Sequence, residues 1–404
     1  MKSESNDYVI RVLRSAQDVH ASAWNALLDL QVDANPLMRH EYLAAMQASG
    51  SATQGTGWDT RFLTLWRAGE LQGACALYRK DHSYGEYVFD WAWANAYRQH
   101  GLNYYPKALV ASPFTPVPGA RLLARDAQAR RALVQALLDW CAQERLSSLH
   151  VLFGNEADMQ ACAAAGMMLR HTVQFHWRNR KPGYAGFDDF LASLAQDKRK
   201  KIRQERRKVV QSGVDFRWSL GNDISAADWD FFYRCYERTY LEHGNAPYLS
   251  RDFFARMANS MPQDWLLFVA QRQARPIAAS LIALHPGTAL AAPQGADGNG
   301  TDKVAYGRYW GALERVNCLH FEACYYQPLQ WCIEHGYQRF EGGAQGEHKM
   351  ARALLPVMTR SAHWLAHPAF ARAVDQFLVR ESEGMDQYLQ SLEQRSPLRR
   401  EGAG

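Results

Sequence analysis

Three segments of this chain recur in the same order half a chain apart, which constrains it to fold as two similar units. Pro36 to Met46 (PLMRHEYLAAM) has a partner in Pro247 to Met257 (PYLSRDFFARM). Proline, an acid (Glu41 and Asp252), an aromatic (Tyr42 and Phe253), alanine and methionine repeat in register. Each copy reads as a helix opened by proline in its first turn, and Trp24 and Trp229 each start the helix before it. FLTLWRAGELQGACALY (62–78) pairs with LFVAQRQARPIAASLIA (267–283), two apolar runs around a short polar turn, the pattern of a β-hairpin. LDWCAQERLSSLH (138–150) pairs with LQWCIEHGYQRFE (329–341), where a Trp-Cys pair coincides and a strand follows. Each copy is therefore expected to run helix, helix, hairpin, strand, helix, strand.

A length of 404 residues suits two domains. Hydrophobic residues make up 47% and charged residues 22%, as in soluble globular chains. The N-terminal MKSESNDYVIRVL has no apolar core of a secretion signal, and no stretch is long and apolar enough to span a membrane. Seven cysteines without CxxC spacing point to reduced thiols. The expectation is a cytoplasmic protein without a zinc or other metal site. P-loop, HExxH and GxSxG motifs are absent from the sequence.

Between the copies, residues 187–216 carry Leu191, Leu194, Ile202 and Val209 on one helical stripe, with Gly213 just past its end. This predicts one long basic helix or two shorter ones. Lys198–Lys208 holds eight basic residues and one acid, a net +7 in a chain whose total is +5. Lys198, Arg199, Arg203 and Arg206 are candidates to bind a polyanion such as tRNA or an anionic lipid-linked precursor; a solvated helix face is the alternative. The expected divisions are a first domain over 1–180, a basic helical segment over 181–213 and a second domain over 214–395. A flexible loop is expected over 286–302 and a disordered tail over 396–404.

The order of elements resembles the GNAT acyltransferase fold, and the tandem arrangement with a basic helical segment resembles its FemABX branch. More closely, the chain is similar to a FemAB-like family of broad peptidoglycan biosynthesis or recognition. The residues carrying that resemblance include NPLMRHEYL (35–43), SYGEYVFDWAWANAY (83–97), YYPKALVASPFTPVPGARLL (104–123), DKRKKIRQERR (197–207), YGRYWG (306–311), HFEACYYQ (320–327) and FEGGAQGEHKMARALLP (340–356). It implies an α/β (α+β) chain of two tandem GNAT-like domains, each a mixed central sheet flanked by helices. It also implies transfer of an acyl or aminoacyl group from acyl-CoA or aminoacyl-tRNA to an amine, in a small molecule or a peptidoglycan precursor.

That chemistry needs a base for the ammonium, a donor for the oxyanion, and cations or backbone amides for the carrier's phosphates. Phe340–Met350 crowds ionisable groups onto a glycine-rich turn after a strand, and makes Glu341 or His348 the candidate base. Gln345, Glu347 and Lys349 stand there as substrate-binding candidates. Glu341 aligns with His150 of the first copy. Arg308, among aromatics in YGRYWG, needs an anion or an internal partner such as Glu341, and Tyr309 beside it is a binding candidate. His320 opens a helix where a carrier can dock. In the first copy, Asp90, Tyr104 and Lys107 lie in aromatic segments that suggest a groove wall, with core packing as the alternative; Lys107 is the residue there expected to face a ligand. A binding protein that kept the duplicated fold without catalysis is the alternative function.

Overall fold

The computed structural model describes residues 8–287, 302–344 and 346–399. Most of the expected loop 286–302, the end of the expected tail, and Gln345 lie outside the described residues. The chain divides into two compact units, Met1–Thr172 with Met358–Gln387, and Val173–Val357 with Tyr388–Gly404.

In chain order the strands of the first half are β1 (Val9–Leu13), β2 (Trp58–Arg67), β3 (Glu70–Lys80), β4 (Lys107–Val110), β5 (Leu123–Ala124), β6 (Ser148–Leu152) and β7 (Met168–Arg178). Those of the second are β8 (Val214–Leu220), β9 (Trp265–Arg272), β10 (Arg275–His285), β11 (Val304–Ala312), β12 (Arg339–Glu341) and β13 (Leu355–Leu365). The helices used below are α1 (Ala21–Asp29), α2 (His40–Ala48), α3 (Trp91–Gln99), α4 (Ala127–Gln143), α5 (Glu156–Ala164), α6 (Phe187–Ala192), α7 (Gln196–Gln211), α8 (Ala226–Glu242), α9 (Arg251–Ser260), α10 (Leu319–Phe321), α11 (Gln327–Glu334) and α12 (Pro368–Gln394).

The repeat is visible in both units. Trp24 and Trp229 occupy the same place in the first turns of α1 and α8, and both are buried. The two hairpins, β2–β3 and β9–β10, close on two-residue turns with positive φ, Ala68-Gly69 and Gln273-Ala274, whose twist suits the flanking strands. The prolines behave differently from expectation. Pro36 opens a separate short turn capped by Asn35, and α2 starts after it; Pro247 precedes α9, which Ser250 caps. A side-chain cap satisfies the free amides that begin a helix, so the helix starts where the cap is.

Unit 1 orders its strands β1-β2-β3-β4-β6-β13 and unit 2 orders them β8-β9-β10-β11-β12-β7. Neighbours within each unit are antiparallel except β4 with β6 and β11 with β12. The last place in each unit is filled from the other half of the chain: Glu341 of β12 pairs with His176 of β7, and His150 of β6 pairs with His363 of β13. The units therefore depart from the boundaries read at 180 and 214, because sequence similarity marks duplicated halves and says nothing of which sheet a final strand joins.

The basic segment 181–213 is two helices, α6 and α7, and both belong to unit 2. Phe190, Leu191, Leu194 and Ile202 are buried in that unit's core with Trp177, Tyr326, Leu329 and Phe340. Ala195 separates the helices, and Gly213 follows α7 with φ of 70°. Part of the expected tail is ordered: Leu398 bridges Leu194, and the Arg399 amide donates to the Ser193 carbonyl. In unit 1, Leu133, Leu137 and Cys141 of α4 pack on Leu63, Cys75, Ala108 and Leu149 of the sheet.

Gly311 shows why β11 carries glycine inside an aromatic run. A Cβ there would collide with the Cys235 carbonyl of α8, which lies directly on the strand. We expect Gly311→Ala to destabilise the protein by about 2–3 kcal/mol, the cost of overpacking a rigid contact, read as a lower urea midpoint.

Candidate active site

In unit 2 the parallel partners β11 and β12 have unequal lengths. Their register runs only from Val304 with Arg339 to Tyr306 with Glu341, while β11 continues to Ala312. The gap left beyond Glu341 is a cavity of about 140 Å³. Gly307, Arg308, Tyr309 and Trp310 of β11, Ser280 and Ile282 of β10, and Gly342 line it. His320, Cys324 and Tyr325 close it from α10 and the π-helical turn Glu322–Tyr326 that follows. Such turns are rare and common at functional sites.

In unit 1 the chain takes a different path beyond the paired strands. After β4 the chain runs through Ser112–Gly119, and Gly119 bridges Gly154 beyond the end of β6. Arg121, fully buried, donates to the carbonyls of Leu152 and Val117. The Pro-rich segment Ser112–Gly119 is mostly buried.

The sequence candidates in unit 2 separate into three settings. Arg308 lines the cavity, with its guanidinium 4.9 Å from the Tyr309 ring. Tyr309 and His320 line it too, and enclosure, followed by the charges of His348 and Arg352, pushes the His320 imidazole below its ordinary range. His348 is exposed and its Nε2 lies 3.4 Å from the hydroxyl of cavity-lining Tyr325. Desolvation, then Arg352 and Lys349, lowers its pKa, which favours the neutral ring, the form that can accept a proton. Lys349 is buried, donates to the Gly343 carbonyl at 3.0 Å, and is pushed down to about 8 by desolvation. Glu347 points away from these groups, accepting from Tyr388 at 2.8 Å and Arg395 at 3.1 Å.

Glu341 is buried one residue from the cavity, with Arg339 Nε 3.1 Å and His176 Nδ1 3.8 Å from its carboxylate. Burial and the charges of Arg339 and Arg178 push His176 to about 3, so it meets Glu341 as a neutral ring.

In unit 1, Lys107, expected to face a ligand, has a fully buried side chain. Its Nζ donates to Asp90 at 2.5 Å, Glu86 at 2.7 Å and Ser83 at 2.8 Å. Burial alone would lower the lysine pKa, but Glu86 and Asp90 outweigh it and raise it. Tyr104 donates to Asp90 at 2.6 Å and contacts His150 Nε2 at 3.1 Å. His150 Nδ1 lies 2.7 Å from His363 Nδ1, and His363 Nε2 lies 2.8 Å from the Ser361 hydroxyl. Lys107, Asp90 and Tyr104 are therefore members of one buried polar chain from Glu86 to Ser361.

The cations of α7 also divide. Lys200, Lys201, Arg203 and Arg207 are exposed, and Lys198 and Arg199 are half-buried. Lys198 pairs with Asp197 at 2.8 Å. Arg206 instead turns inward, pairing with buried Glu322 at 3.0 Å and donating to Gln330 at 3.0 Å. Sequence reasoning missed Tyr325, Cys324 and Ser280, which the fold brings to the cavity from separate elements. It also passed over Glu205 and Arg352, although a single acid inside a basic run was a visible signal.

The buried imidazoles predict acid sensitivity. Burial pushes His150 to about 3 from an ordinary 6.5 and His363 well below its ordinary value. Each binds fewer protons folded than unfolded, so their stabilisation is present above about 6.5 and is lost as pH falls toward 3. Glu86, pushed up to about 7 by desolvation, acts oppositely. The difference between wild type and His363→Gln removes that contribution. We expect unfolding free energy between pH 6 and 4 to fall less steeply in His363→Gln, by up to about 1.4 kcal/mol per pH unit, in urea melts across that range.

Comparison with solved structures shows the same fold in proteins of very different sequence. The structure of FemX aligns with a TM-score of 0.52 at 11% identity, covering 88% of this chain and 98% of that one. The C-terminal domain of a putative lysylphosphatidylglycerol synthetase from Agrobacterium fabrum aligns with a TM-score of 0.50 at 10% identity, covering 90% and 96%. L-PGS from Bacillus licheniformis aligns with a TM-score of 0.50 at 11% identity, covering 89% and 97%. No curated protein matches the sequence. The fold is that of tandem GNAT-like units, as the resemblance implies. Residues 15–400 match the FemAB-like family described as peptidoglycan biosynthesis/recognition, and with nearly the whole chain inside that match, the protein belongs to it.

Proposed function

We propose that unit 2 transfers an acyl or aminoacyl group from a thioester or a tRNA ester to an amine, with a peptidoglycan precursor as the acceptor class. The carrying observation is the cavity beyond Glu341, lined by Arg308, His320 and Tyr325 in unit 2. The amine nitrogen attacks the acyl carbon, a C–N bond forms, and the C–S or C–O bond to the carrier breaks. His348, neutral and next to Tyr325, takes the ammonium proton directly or through that hydroxyl. Arg308 stabilises the oxyanion, and the carrier leaves as a thiol or ribose hydroxyl once it regains a proton. Tyr309 and Lys349 contact the substrate, and His320 borders the carrier. Glu341, held by Arg339, is the weaker candidate for the base.

The cations of α7, exposed Arg203 and half-buried Arg199 among them, guide a phosphate-rich carrier or an anionic lipid-linked acceptor; Arg206 has an internal role. Such donors place the reaction in the cytoplasm, with peripheral contact to the membrane where a lipid-linked acceptor is used. Among the described residues no helix is long and apolar enough to cross a membrane.

Calorimetry with acyl-CoA species and charged tRNA, followed by transfer assays with amine acceptors, tests the reading. We expect His348→Ala and Arg308→Ala each to lower kcat/KM by about 100-fold. Binding of a cell-wall fragment with no donor binding and no effect of either variant would instead support a non-catalytic recognition protein, a reading the buried Glu341–Arg339 pair favours. The double variant Arg199→Glu, Arg203→Glu should reduce the salt dependence of polyanion binding by about 1–2 in slope, and an unchanged slope removes α7 from the binding surface.

A further inference from the structure

Within the basic run of α7 the one acid, Glu205, is buried. Burying a carboxylate on an otherwise cationic helix is costly unless donors meet it. Here three do. Arg352 Nη2 donates to Oε1 at 3.1 Å and to Oε2 at 2.9 Å, and the Tyr326 hydroxyl donates to Oε2. Arg352 is itself buried, and its guanidinium lies 3.5 Å from the Phe321 ring centroid. Its Nη1 donates to the His348 carbonyl at 2.7 Å. His348 is thus held at its backbone by Arg352 and approached at its ring by Tyr325, next in sequence to the tyrosine that Glu205 anchors. Arg206, the next residue of α7, grips Glu322 at the start of the same π-helical turn.

We infer that Glu205 is a positioning residue, which through Arg352 and Tyr326 fixes His348 and the π-helical turn against the cavity. α7 is then two-faced, cationic outward and a clamp inward. A planar guanidinium that bridges a carboxylate and a backbone carbonyl orients both at once, which a lysine ammonium cannot do with the same geometry. The consequence for catalysis rests on the transferase reading above; the consequence for His348 does not.

The test follows the His348 imidazole by NMR in full-length protein, with thermal melts as a check of folding. The charged and titratable groups facing that ring are Arg352, Lys349, His320 and Tyr325. In folded Glu205→Gln, Arg352 loses its balancing charge, so the His348 titration midpoint should move down. Tyr326→Phe, which keeps the ion pair, should leave it in place. If transfer activity exists, Glu205→Gln should lower kcat about tenfold while donor KM stays within about twofold. An unmoved His348 titration in folded Glu205→Gln overturns the assignment. If that variant does not fold, Arg352→Lys gives the same reading: a displaced His348 titration supports positioning and an unmoved one overturns it. Because the titration needs no donor, a wild-type protein that transfers nothing would sink the transferase reading and leave this one standing.

Discussion

A three-residue strand lies parallel to a nine-residue one in unit 2. The long strand continues past the end of that pairing, and His320, Cys324 and Tyr325 close the cavity beside it. Groups argued to act on a substrate come from separate elements: Arg308 and Tyr309 line the cavity from β11, His320 and Tyr325 from the helical segment after it, and His348, beside Tyr325, belongs to the turn after β12. Arg352 ties the turn carrying His348 to α7, and Arg206 ties α7 to the π-helical turn. Strand pairing thus sets the cavity, and buried ion pairs set its walls.

Unit 1 shares the strand order and differs in the path of its chain beyond the parallel pair. Its Pro-rich connection folds inward, Arg121 caps carbonyls there, and a chain of ionisable side chains from Glu86 to Ser361 crosses the interior. Those groups satisfy one another: Lys107 holds Asp90 and Glu86, Tyr104 links Asp90 to His150, and His150 meets His363. Such a network stiffens an interior because each member loses more by exposure to an unpaired state than it gains from water. Sequence reasoning took Asp90, Tyr104 and Lys107 as binding candidates with core packing as the alternative, since such residues in an aromatic segment look alike whether they line a groove or a core.

Much of the fold was legible beforehand. Both hairpins, the paired tryptophans opening α1 and α8, the two-helix option for the basic segment, and the Gly213 stop follow from local periodicity and turn chemistry. Cavity membership was legible only in part. Arg308, Tyr309 and His320 were named because an arginine among aromatics and a helix start carry chemical signals of their own. Tyr325 carried none beyond its place in an aromatic run, and the roles of Glu205 and Arg206 depend on which face of α7 packs inward.

By itself the sequence determined the duplication, the family, the order of elements and the concentration of positive charge on one helix, because each of these is a pattern along the chain. Tertiary structure decided the rest. It assigned the final strand of each half to the other unit, buried Lys107, tied Glu341 to Arg339, and turned Glu205 and Arg206 inward. The reason is that a charged side chain's role depends on what faces it. Partners such as Glu205 and Arg352, or His150 and His363, stand far apart in the chain and meet only when helices and strands pack.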